Sequence, residues 1–97
     1  MKIKWLRKAL ENLEQEAAYI SRENSAAAKT VVRRIFKSVA MLADSPALGH
    51  PGRIPGTREL IVANTRYIIP YRVRPRLKQI EILRVFHVAR KPPESWK

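Results

Sequence analysis

Ninety-seven residues with no cysteine, 45% hydrophobic side chains and a formal net charge of +12 fit one small domain whose core forms without disulfides. The apolar fraction is too high for wholesale disorder, and no run of about 18 apolar residues is present to cross a membrane. The basic stretch from Lys2 to Lys8 is not followed by an uninterrupted apolar segment, so it does not read as a secretory leader, and the cytoplasm is the expected compartment.

Charge is the strongest compositional signal. Twenty Lys and Arg face eight Asp and Glu, and the imbalance is greater in residues 50–97 (eleven basic, three acidic) than in residues 1–49 (nine and five). Such a chain repels its own copies and favours a polyanion, either nucleic acid or an acidic protein.

In chain order, Lys2-Ile3-Lys4 alternates as a short edge strand does. Leu6, Leu10, Leu13, Ala17 and Ile20 then recur at helical spacing and define one stripe. Asn24 or Ser25 can cap a second helix. Its buried face is expected from Ala28, Val31, Val32, Ile35, Val39 and Leu42, and its basic face from Lys29, Arg33, Arg34 and Lys37. Asp44-Ser45-Pro46 ends that helix, because proline restricts the residue before it and cannot continue the ladder. Residues 46–57 hold three prolines and three glycines, which indicates an ordered loop of tight turns.

After the loop the period changes to two. Arg58 to Val62, Arg66 to Val73 and Gln79 to Phe86 read as three strands joined by short turns, an antiparallel meander. Tyr67, Ile69, Tyr71 and Val73 share one face, whereas Pro70 lacks a donor and belongs at an edge or a bulge. Tyr19 is expected to close the core, and Trp5 and Trp96 to act as packing anchors. The expected fold is α+β: an N-terminal helical hairpin packed on a four-stranded, mostly antiparallel sheet. Residues 1–97 form a single domain, with residues 92–97 a short tail.

No glycine-rich phosphate loop, dinucleotide fingerprint or nucleophile elbow is present. Two distant histidines and few acids make a metal site unexpected, and no cofactor is expected. Acid–base chemistry would then fall to histidine, arginine, lysine or tyrosine. His87, where the last strand ends, titrates near pH 6.5 when unperturbed and is suited to proton transfer; a structural histidine at a strand end fits the same position. Alternation separates Arg84 and Phe86 from Val85 and His87 unless a bulge intervenes. Arg58 and Arg66 begin adjacent strands. Guanidiniums gathered around a histidine would suit metal-free cleavage of an RNA backbone, though arginines at strand starts are often solvent-facing or paired with acids.

Three segments, Pro51 to Leu60, Arg66 to Val73 and Ile80 to Arg90, together with the first helix (Ala9, Leu13, Tyr19, Ile20), resemble the RelE/ParE superfamily of toxins along nearly the whole chain. The resemblance implies a type II toxin neutralised by a cognate antitoxin with an acidic amphipathic segment, and operator DNA contacted through that antitoxin. RelE-like members cut mRNA on the ribosome, whereas ParE-like members inhibit DNA gyrase. His87 is similar in place to the histidine of the YoeB-type ribonucleases, and Arg66 to their strand arginine. The chain departs from that type in having no glutamate in the 46–57 loop and no tyrosine after His87. It also has Arg53 and Arg58 where RelE carries a lysine-rich segment.

The sequence therefore carries an enzyme reading, a metal-independent endoribonuclease acting on ribosome-bound mRNA. In it His87, Arg66 and Arg84 are catalytic, and Arg53, Arg58, Arg90 and Lys91 bind substrate. A non-catalytic inhibitor of gyrase is the alternative. An inert nucleic-acid-binding module ranks below both, since no recognition helix or aromatic platform is evident.

Overall fold

Two alternating periods, 3.6 residues up to Ala40 and two residues beyond Arg58, give the molecule its two layers. The computed structural model describes residues 1–89; the expected tail at 92–97, with Trp96, lies outside the described residues. Strand β1 (Lys2–Trp5) leads into α1 (Arg7–Ser21) and α2 (Ser25–Ala40). Then follow β2 (His50–Pro51), β3 (Arg58–Ile61), β4 (Tyr67–Arg74), β5 (Gln79–Ile82) and β6 (Phe86–His87). The sheet runs β1-β5-β4-β3-β2, with β6 beside β4. All its pairings are antiparallel except β1 with β5, which is parallel. This is the expected α+β arrangement with six strands in place of four, since part of the loop pairs as β2 and the last strand is broken in two.

The two helices start by different means. Asn24 accepts a 3.0 Å bond from the Ala27 N–H and so satisfies one of the free donors of α2. Helix α1 has no side-chain cap, and its start is set instead by the sheet, where Leu6 N–H donates to the Ile82 carbonyl of β5. Helix α2 passes into a 3-10 turn, Met41–Ala43, before Pro46 can interrupt it.

The core is the inner face of the sheet against the hairpin: Ile35, Val39 and Leu42 meet Leu60, Val62, Ile69, Tyr71, Ile80 and Ile82. Of the expected α2 stripe, Ala28, Ile35, Val39 and Leu42 are buried and Val31 and Val32 are partly buried against the core. In α1, Leu10 is 44% exposed and Ala9 is fully buried in its place, because a small residue lets the hairpin approach the sheet. Tyr19, expected in the core, is 57% exposed, whereas Tyr67 and Tyr71 are buried. Trp5 packs partly buried against the core, its ring 5.0 Å from that of Phe36.

Polar contacts tie the layers at chosen points. The Tyr67 hydroxyl donates to Glu16 of α1 at 2.9 Å, and Arg34 of α2 donates to the Asn64 carbonyl in the β3–β4 turn. Asn64 has φ of 59°, a left-handed position that asparagine tolerates. Tyr71 reaches the loop, where its hydroxyl donates to the Pro46 carbonyl at 2.7 Å and accepts from Gly49 N–H at 2.8 Å. Gly49 is buried there, and an added Cβ would lie 2.7 Å from both the Glu59 carbonyl oxygen and the Tyr71 ring.

Tyr71→Phe keeps the ring and removes both hydroxyl bonds, leaving the buried Gly49 N–H unsatisfied. It is expected to lower unfolding free energy by about 1–3 kcal/mol in a urea titration. An unchanged midpoint would mean that the hydroxyl does not hold the loop.

Candidate functional site

The end of the sheet where β4 begins is shaped by one missing donor. The Pro70 carbonyl accepts from Leu83 N–H at 2.9 Å, so Pro70 turns its backbone toward the β5–β6 side. In a regular antiparallel pair the opposite residue would receive a bond in return, but proline has no N–H. The Leu83 carbonyl instead accepts from Arg84 Nη1 at 2.6 Å. The ladder lapses, and residues 83–85 stand against only residues 69 and 70 before pairing resumes at Ile68↔Phe86 and Tyr67↔His87. This one-residue bulge resets the alternation. Val85 returns to the core, its N–H donating to Asn12 Oδ1 of α1.

His87 emerges from the bulge as the cross-strand partner of Tyr67. The two rings meet edge to face at 5.1 Å, and His87 Nδ1 accepts from Ala89 N–H at 3.0 Å. The Nδ1 position is thereby committed to turning the chain after β6. A proton on the neutral ring then belongs on Nε2. The Arg66 carbonyl accepts from Val88 N–H at 2.7 Å, which brings the exposed Arg66 beside the His87 segment. Arg84 lies three residues before His87, on the far side of the bulge. Arg66 and His87 thus share one end of the sheet, Arg84 stands in the bulge opposite residues 69 and 70, and Arg90 and Lys91 lie outside the described residues.

The other two candidates are elsewhere. Arg58 is opposite Tyr71, five residues along β4 from Arg66, about 16 Å at strand rise. Its guanidinium donates to the Gly49 and Ala47 carbonyls at 2.9 and 3.2 Å, so it clamps the same loop as Tyr71. Arg53 donates through its backbone N–H and its guanidinium to Glu59, with three bonds of 3.0–3.2 Å. Arg53 and Arg58 are engaged within the fold.

Glu59 is the buried charged residue among the described ones, 3% exposed. Burial alone raises its pKa, but the hydrogen bonds from the Arg53 side chain and backbone, with the charges of Arg53 and His50, outweigh that and hold it below the ordinary 4.5. Sequence reasoning assigned Arg53 to substrate and gave Glu59 no role; an acid alternating with Leu60 reads as a solvent-facing strand position until the loop closes over it. A second acid, Glu81, accepts from Arg72 and Arg74 on the sheet face turned away from the helices. Among the described residues no group of three or more His, Cys, Asp or Glu could hold a metal ion, and no helix is long and apolar enough to cross a membrane.

The family model described as the ParE toxin of the type II toxin–antitoxin system parDE matches residues 3–92. A Sinorhizobium fredii protein, named provisionally as toxin Y4kP, is 44% identical over 93 residues, covering 96% of this chain and 94% of that relative. A chain of the chromosomal ParDE system from P. aeruginosa superimposes with a TM-score of 0.78 at 31% identity, covering 91% of this chain and 96% of that one. The isolated E. coli RelE toxin gives 0.64 at 17% identity, with 93% and 86% covered. The Mycobacterium tuberculosis RelBE2 complex gives 0.58 at 21%, with 89% and 88% covered. At those lower identities the likeness is one of fold.

Because the folded-state pKa of Glu59 is depressed, its contribution to stability is present above the ordinary carboxylate value and is lost as pH falls through the folded one. Stability is therefore expected to fall as the medium is acidified below about pH 4.5, the ordinary glutamate range. Glu59→Gln should flatten that acid limb and cost about 1–3 kcal/mol at neutral pH, both read from urea titrations across pH. An acid limb identical in the two proteins would show that another carboxylate governs it.

Proposed function

The chain belongs to the ParE toxin family of type II toxin–antitoxin systems, and from that premise we propose that it arrests growth by binding DNA gyrase rather than by cutting mRNA. The supporting observation is that two arginines expected on substrate are held against the 46–59 segment, away from the His87 segment. Arg53 is spent on Glu59 and Arg58 on loop carbonyls. Arg84 donates to its neighbouring carbonyl, and His87 Nδ1 serves the backbone at Ala89. Phosphoryl-transfer chemistry needs cations pre-set around a proton-transfer group. Arg53 and Arg58 instead hold a loop. A binding toxin makes no such demand.

Its cognate partner is an antitoxin with an acidic amphipathic segment, which complements the +12 charge, and operator DNA is reached through that antitoxin. The ribosome-dependent endoribonuclease is the second reading, favoured by the Arg66–Val88 backbone bond that draws Arg66 beside His87. In it His87 moves the proton, Arg66 and Arg84 face phosphate, and Arg90 and Lys91 position the message.

Brief induction without antitoxin separates the two. Mapping of gyrase-linked DNA breaks and of mRNA 5′ ends on ribosomes should show breaks in the DNA and no new message ends. His87→Ala and Arg84→Ala, checked for folding, should retain toxicity within about threefold. New ribosome-bound mRNA ends that disappear in folded His87→Ala would overturn the gyrase reading.

A further inference from the structure

The sheet face away from the helices carries a cationic array that neither the loop clamp nor the His87 segment uses. Register sets Lys2, Gln79 and Arg74 in one row across β1, β5 and β4, and Lys4, Glu81 and Arg72 in the next. Arg76 and Lys78, both exposed, extend the array past the β4–β5 turn. Within the array Glu81 is the single acid. Its Oε1 accepts from Arg72 Nε and Nη2 at 3.2 and 2.9 Å and from Arg74 Nε at 3.2 Å. One carboxylate oxygen therefore orients two guanidiniums and leaves each with further N–H groups for another acceptor. Cα positions two residues apart on a strand stand about 6.6 Å apart, and β1 and β4 lie about 9.6 Å from each other across β5. The four corner cations mark a flat rectangle.

We propose that this face docks the phosphodiester backbone of duplex DNA, without reading its sequence. The occupant follows from what the rows contain. A protein partner needs an apolar centre in its interface, yet both rows are polar throughout, with Met1 and Leu77 only at one end. A single strand is held by aromatic stacking, and the rows have no aromatic side chain. Among the described residues no helix projects from the face to enter a groove, so base edges are not read. Multiple cations without apolar or aromatic company match backbone contact alone. The proposal does not rest on the gyrase reading, and its test uses neither gyrase nor ribosome.

The full chain is titrated onto a labelled 20-base-pair duplex of mixed sequence between about 50 and 200 mM salt, by fluorescence anisotropy. The triple variant Lys2→Gln, Lys4→Gln, Arg76→Gln removes three exposed charges. The matched triple Lys29→Gln, Arg33→Gln, Lys37→Gln removes three from α2. The first triple should weaken binding at least tenfold at low salt and make the log–log salt slope shallower by about 2–3; the second should change the slope by less than about 1. Circular dichroism melts establish that each variant is folded. Arg76→Glu alone, in the turn and outside the ladder, should weaken binding in the same direction should the triple melt early. Equal losses from the two triples, stronger binding to single-stranded DNA of the same length, or stronger binding to poly-glutamate would each overturn the proposal.

Discussion

Pro70 has no N–H, and it sits where β4 turns that missing donor toward the strand beside it. From this one absence follow the lapse of the ladder at Leu83, the extra residue at 83–85 and the restart of pairing at Phe86. The bulge sends Val85 inward after Ile82, two core residues that simple alternation would put on opposite faces. It also fixes His87 against Tyr67, whose hydroxyl reaches Glu16 of α1. The geometry of His87 is therefore a consequence of backbone hydrogen-bond accounting in the sheet.

Two populations among the cations differ in their physics. Arg53, Arg58, Arg34 and Arg84 donate to Glu59 or to backbone carbonyls, as planar forks suited to fixed acceptors. Such arginines hold irregular backbone where no ladder is available, and the 46–49 loop relies on Arg58 and Tyr71 together. The second population, on the outer sheet face, is concentrated by the strand register. Among the described residues Arg72 and Arg74 share the Glu81 carboxylate there. Glu81 stays ionised because bonds from Arg72 and Arg74 outweigh the upward push of its partial burial.

Much of the fold was legible because two signals are local. Ala28, Ile35, Val39 and Leu42 of the expected α2 stripe and Tyr67, Ile69 and Tyr71 of β4 are buried where their periods put them, Val31, Val32 and Val73 partly so, and Pro70 marks a bulge as a missing donor should. The superfamily likeness predicted the hairpin-on-sheet architecture correctly. What escaped the sequence depends on long-range pairing. The parallel seat of β1 beside β5 joins residues far apart in the chain, and β2 exists only because β3 lies next to it. Ala9 replaces Leu10 on the buried stripe because the approach of the hairpin to the sheet decides which neighbouring position is covered. The candidate site was legible in part. Arg66 lies beside the His87 segment and Arg84 in the bulge, but spacing could not reveal that Arg53 and Arg58 are engaged elsewhere, because their acceptors belong to a loop conformation. The outer cationic rows were hidden for the same reason: Lys2 and Arg74 become neighbours only through β5.

A net charge of +12 on so small a surface also acts against the folded state through self-repulsion. The fold relieves part of this by giving some cations fixed acceptors, but the outer face gathers more cations than Glu81 can offset. A polyanion that covers them relieves the remainder, and by mass action it stabilises the folded chain in proportion to the logarithm of its concentration over its dissociation constant. Binding and stability are then linked through the same side chains. Duplex DNA seated on that face would make the folded chain more stable, and salt that releases it would leave the chain less resistant to unfolding. The charge that suits this protein to its partners is thus also a reason for it to keep one.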